Sequence, residues 1–135
     1  MAKESGTGWT TSEFDDSGGT ARDIKNDITT IQWSIPRSVQ DITGLDKTAR
    51  ETLLLLSDLS GSATGVFNDA TNASHDVFKT VASATVTRTV NNVISGQTLS
   101  AECLLTDYSL SRSSSGEFTW TVPYVLQDGT APTWS

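Results

Sequence analysis

The chain has 135 residues, the size of one domain, with 36% hydrophobic and 19% charged residues; Ser, Thr and Gly fill the difference, a composition that leans towards strands and turns. A formal net charge of −7, with the basic residues scattered from Lys3 to Arg112, argues against a protein that works by neutralising phosphates. The single cysteine, Cys103, excludes an internal disulfide, and the longest apolar run, residues 53–56, falls far short of the roughly 20 residues of a membrane helix.

Residues 1–8 are small and polar and read as a flexible arm without the apolar core of a signal peptide, so synthesis in the cytoplasm is expected. A strand is predicted over 9–14, closed by the turn signal Asp15-Asp16-Ser17-Gly18-Gly19. Thr29, Ile31, Trp33 and Ile35 share a parity, as in a half-buried strand that Pro36 ends. Residues 37–52 carry charge, Gly44 and no strand alternation; they read as a long loop, with a helical turn near 48–54. A loop of that length in a small domain usually has a task, which makes Arg37, Asp41, Thr43, Gly44, Leu45, Lys47 and Arg50 candidates for contacts between subunits.

Residues 53–67 read as one apolar strand, with Gly61 and Gly65 marking bulges or close backbone approach. Ser74 as its cap and Asp76 in the favourable first turn predict a short helix over about 74–82, with Val77, Phe78 and Val81 as its apolar stripe. Three strands follow. Residues 85–94 alternate, although Arg88 interrupts the apolar face. Residues 98–112 switch parity between Leu105 and Tyr108, as a bulge would produce. Phe118, Trp120, Val122, Tyr124 and Leu126 lie on one face of the last strand, joined to its predecessor by a hairpin at 113–116, and residues 128–135 form a C-terminal tail. Short connections between neighbouring strands imply a single, mainly β domain over 1–135: an antiparallel β-sandwich or partial barrel with one short helix.

The chemistry of catalysis is thin. His75 and Cys103 are single, so one chain cannot build a His/Cys zinc cage; His75 reads as an exposed helix-start residue and Cys103 as core. No phosphate-loop or calcium-loop spacing occurs, and no nucleophile has a recognisable base, so no enzyme activity and no cofactor or metal are expected. Trp9, Trp33, Trp120 and Trp134 could form a sugar-binding platform, but the parity of Trp33 and Trp120 assigns both to the core. That leaves Trp9 and Trp134, near the termini, as candidate contacts of the terminal arms.

Phe14-Asp15-Asp16-Ser17-Gly18-Gly19-Thr20-Ala21-Arg22-Asp23-Ile24, followed by Ile28-Thr29-Thr30-Ile31, resembles the opening of siphophage major tail proteins, where a strand and an SGG turn lead to a short RDI strand and then another strand. Thr43-Gly44 and the run from Leu59 through Gly61, Ala63 and Gly65 to Phe67 are similar to that family's long loop and following strand, and the helix falls where the family carries its own. The resemblance runs from about Trp9 to Phe78. It implies a tail-tube subunit that self-assembles into stacked rings, usually of six, around a conduit for DNA. The implied partners are its own copies and the tape-measure, tail-terminator and tail-tip proteins, with transient passage of DNA and no membrane insertion; the implied location is the virion tail. An acidic lumen would let DNA slide, and Glu102, Asp107 and Glu117 are the acids expected there. The alternatives are another virion protein of similar fold, for tail completion or decoration, or a carbohydrate-binding or adhesin module.

Overall fold

The structure, a computed structural model, describes Lys3 and residues 5–135. Of the expected N-terminal arm, Met1, Ala2 and Glu4 lie outside the described residues, and Gly6–Gly8 form a 3-10 turn. The strands, in chain order, are β1 (Trp9–Asp15), β2 (Ala21–Asp23), β3 (Ile28–Ser34), β4 (Arg37–Asp41), β5 (Thr52–Ser57) and β6 (Ser60–Val66). Helix α1 (Ser74–Phe78) precedes β7 (Arg88–Ile94), β8 (Gln97–Leu105), β9 (Ser109–Arg112), β10 (Phe118–Leu126) and β11 (Thr133–Trp134). A second 3-10 turn, Lys25–Asp27, links β2 to β3.

Every pairing is antiparallel, in the order β2-β1-β7-β8-β10-β6-β3, with β11 added beside β8 and β9 beside β10. The mainly β antiparallel fold with one short helix agrees with the sequence. The sheet curls but does not close: Trp9 of β1 and Trp33 of β3, from near its opposite ends, meet with ring centroids 5.5 Å apart. A cleft of about 490 Å³, lined by Trp9, Lys25 and residues 28–31, runs along the unpaired seam.

The concave face is the core. Phe14, Val90, Leu99, Ala101, Cys103, Trp120, Val122 and Tyr124 alternate into it, as a period of two requires. One end is plugged by α1, whose Phe78 touches Phe14 at 5.4 Å and Trp120 at 5.0 Å. The other end carries Trp33 between Trp9 and Trp134, the latter ring 6.2 Å away. Gly61 and Gly65 serve the close approach that their spacing predicts. They stand opposite Tyr124 and Trp120, and a Cβ at Gly65 would lie 2.6 Å from the Trp120 ring.

Several expectations are corrected. The loop over 37–52 is narrower: residues 37–41 are β4, paired with β5, and only 42–51 connect them. The helical turn near 48–54 is absent because Thr52–Ser57 is extended. The strand over 53–67 is two strands, broken at Asp58-Leu59, where Leu59 turns into the core. The parity switch in 98–112 is a break, not a bulge. Pro123, which has no N–H to donate, faces the gap between β8 and β9, and the Thr106 N–H reaches its carbonyl at 3.1 Å. Helix α1 ends at Phe78, and Ser74 is its first residue, not its cap. His75 is half-buried against the Phe67 ring at 4.7 Å, not exposed, and its Nδ1 lies 3.1 Å from the Tyr108 hydroxyl. Arg88 is buried in the core face; it donates to the carbonyl oxygens of Asp15 (3.2 Å) and Val77 (2.7 Å) and to Thr80 Oγ1 (3.1 Å).

Candidate functional site

The arm formed by β4 and β5 is the feature that the body of the protein does not explain. A ribbon of two strands is marginal by itself in water, because neither face is covered. Here both faces carry apolar side chains: successive residues of a strand point to opposite sides, and Leu53, Leu54, Leu55 and Leu56 are all exposed, Leu56 at 92%. Val39 on β4 and Ile42 and Leu45 in the connecting loop are exposed as well. Contiguous exposed apolar surface of this kind marks an interaction site.

The loop at the tip is built from the residues expected to act there. Asp41 Oδ1 accepts the Thr43 hydroxyl at 2.6 Å and the Thr43 N–H at 2.9 Å, which hold its carboxyl below the usual carboxylate range. Thr43 Oγ1 in turn accepts the Glu51 N–H at 2.8 Å, closing the loop across its base. A Cβ at Gly44 would meet Asp46 Oδ1 at 2.9 Å and displace that exposed side chain, and the Gly44 carbonyl accepts the Lys47 N–H. Leu45 projects fully into solvent. Arg37 donates from Nε to the Leu55 carbonyl at 2.9 Å, tying β4 to β5 at the root, and Arg50 lies exposed before β5. The residues that sequence reasoning missed are the four leucines themselves. Four in a row without alternation call for partners on both faces of the strand, and the body covers them only in part, leaving each at least 39% exposed.

The three acids expected to line a conduit are not brought together. Glu102 stands on the convex side of β8, where it accepts the Thr89 hydroxyl at 2.5 Å. Asp107 lies in the break after β8, and Glu117 follows the hairpin beyond β9. Glu102 is level with Gln127, the first residue past β10, while Glu117 lies just before its start, a separation of roughly 30 Å at the rise of a strand. Glu102 instead shares the convex side of β2, β1, β7 and β8 with Asp23 and Glu13, and Glu13 accepts from the Asn91 side chain at 2.9 Å. The convex side of β3, β6, β9 and β10 is different. Thr30, Gln32, Ser62, Thr64, Ser109, Ser111, Thr119 and Thr121 make it hydroxyl-rich, and no charged residue points from it.

Trp9 and Trp134 both pack on Trp33, and Trp134 keeps about half of its surface exposed. Because they contact one another, these rings do not present a flat row of faces for a sugar. Chemistry elsewhere is muted: burial pushes the Cys103 thiol up to about 12, so it stays a neutral, weak nucleophile. Among the described residues, no three His, Cys, Asp or Glu side chains gather to hold a metal ion.

No protein-family model and no curated protein matches the sequence. The fold does have counterparts. A chain in the tail of an empty gene transfer agent particle, determined with helical refinement in C6 symmetry, matches with a TM-score of 0.77 at 18% identity, over 98% of this chain and 99% of that one. A chain in the virion of the native gene transfer agent particle matches with a TM-score of 0.70 at 17% identity, again over 98% and 99%. The chain therefore shares, from end to end, the fold found in the tail of a phage-like particle.

Proposed function

We propose that this protein is a structural, non-enzymatic subunit of a bacteriophage-type tail tube, assembling with copies of itself into stacked rings that conduct DNA. The observation that carries the proposal is the apolar arm: four exposed leucines on a two-stranded ribbon need a partner surface. Burying the surface they still expose would contribute about 4 kcal/mol or more before the cost of ordering the ribbon. The whole-chain likeness to a tail refined in C6 symmetry supports copies of the same chain as the partner and six as the ring number. Rings of this kind would be made in the host cytoplasm and reside in the virion tail, with tape-measure, terminator and tail-tip proteins meeting the tube. Of the three expected lumen acids, Glu102 is supported best, because Asp23 and Glu13 share its side of the sheet.

Negative-stain electron microscopy of the purified protein over a concentration series tests this reading. Hollow tubes or rings with six-fold averages are expected. Discrete monomers at every concentration would overturn it.

A further inference from the structure

The root of the arm carries a second apolar feature, a groove. Where β5 returns to the body, Ile35, Leu54, Leu56, Ala131 and Pro132 line an open groove of about 970 Å³, with Arg37 on its rim. One wall is held in place before any partner arrives: β11 pairs Thr133 with Ser100 and Trp134 with Leu99, and Ser135 and Thr98 exchange backbone hydrogen bonds at 2.8 and 2.9 Å. At the other end of the ribbon Leu45 stands free, beside an Asp46 side chain that is 79% exposed.

We infer that the tip of the arm in one copy seats in the groove at the root of the arm in the next copy, with Leu45 entering beside Leu56 and Pro132 and Asp46 facing Arg37. The inference rests on the tail-subunit reading and names the surface that receives the arm. Three observations carry it. The tip cannot reach its own groove, because the five residues of β4 hold it about 17 Å away at the rise of a strand. Knob and groove are different surfaces of one chain, so their contact is heterologous and repeats without closing along the arm, as the helical arrangement of the similar tail requires. At the tip, the exposed Asp46 carboxylate, held only by its neighbour Lys47 at 3.5 Å, is free to turn to Arg37, and the groove lining brings no other charged residue to the contact.

Cysteine cross-linking tests this, because the sole native cysteine is fully buried. Leu45→Cys and Ala131→Cys copies are each doped into an excess of wild-type protein, so that assembly does not depend on them, and treated with a short bis-maleimide. Mass spectrometry should find the 45–131 adduct at least tenfold above a 45–114 control made with Ser114→Cys, whose hairpin lies at the opposite end of β10. As a second measurement, Ala131→Trp fills the groove at an exposed position and should raise the concentration needed for assembly at least tenfold without lowering the melting temperature. Tubes that form with the 45–131 adduct no higher than the control would overturn the inference and leave the tail-subunit reading standing. Failure of the wild-type protein to assemble would overturn both.

Discussion

The carboxylate of Asp27 accepts the backbone N–H of Ser74 through Oδ2 at 3.1 Å, capping α1 from a turn 47 residues earlier in the chain. Its Oδ1 accepts the Asn68 side-chain amide at 2.9 Å, so one buried side chain fixes both the helix and the segment leading into it. Asp27→Ala leaves two buried or half-buried donors without a partner, at about 1–3 kcal/mol for such a group. A loss of about 3 kcal/mol in urea unfolding is expected. A change below 0.5 kcal/mol would show that water or a neighbour takes over the cap.

Gly65 faces Trp120 across the β6–β10 pair, and a Cβ there would run into the Asp27 backbone carbonyl as well as the indole. Overpacking of this kind costs about 1–3 kcal/mol where side chains yield, and more where backbone is the obstacle. Gly65→Ala is expected to lose at least 3 kcal/mol. Gly6→Ala, where a Cβ meets nothing within 4 Å, should stay within about 0.5 kcal/mol. Melting temperatures of the two variants make the comparison.

Much of the sheet was legible because period-two alternation is a strong signal wherever one face is buried. The apolar parity from Phe118 to Leu126 becomes the concave face of β10, with Trp120, Val122 and Tyr124 buried, and the turns at Asp15–Gly19 and Ser113–Gly116 stand where their Asx and glycine chemistry predicts. The arm was not legible as strand, since Arg37–Asp41 lacks an apolar face and is extended only because β5 pairs with it. The cap of α1 was missed because the accepting carboxylate lies 47 residues away, and no local pattern reports a contact of that range. The expectation for the lumen acids rests on charge alone. The sheet register then separates Glu102 from Glu117 by nearly the whole length of β10.

Arg88 interrupts an apolar strand face yet is one of the most buried side chains, at 1% exposure. Burial pushes its pKa down, while the nearby carboxylates of Asp16 and Asp15 support the charge. Its guanidinium binds three acceptors on three segments: the end of β1, α1 and the turn after it. Arg88→Met keeps much of the volume but strands those acceptors, so a loss of about 3 kcal/mol or more is expected by chemical denaturation. Arg88→Lys, with a single ammonium in place of the fork, should fall between that variant and the wild type.

Asp16 organises the turn after β1. The Thr20 N–H at 3.0 Å, with further bonds from Gly18 and Arg22, holds its carboxyl below the ordinary value of 3.8 against the opposing push of burial. A carboxyl depressed in the folded state stabilises the fold above its unfolded pKa, and that stability disappears as pH falls through the folded one. The stability gap between wild type and Asp16→Ala should therefore be constant from pH 7 to about 5 and shrink as pH drops below 3.8. A gap independent of pH down to 2 would assign the effect to turn geometry and not to charge.

The exposed leucines separate folding from assembly. Leu54 and Leu56 lie outside the core, at 54% and 92% exposure, so Leu54→Asp and Leu56→Asp remove little packing from the isolated chain and should change its unfolding free energy by about 0.5 kcal/mol or less. In an assembled tube the same aspartates would be desolvated in an apolar contact, where a charge without a partner is strongly unfavourable. Each substitution should therefore raise the concentration at which tubes appear at least tenfold, read by sedimentation and electron microscopy, while the melting curve of the dilute chain stays unchanged. An equal loss in both measurements would mean that the arm stabilises the monomer. Tubes unaffected by either substitution would move the subunit contact away from the arm, leaving the unpaired edge of β3 and its seam with β1 as the next surface to test.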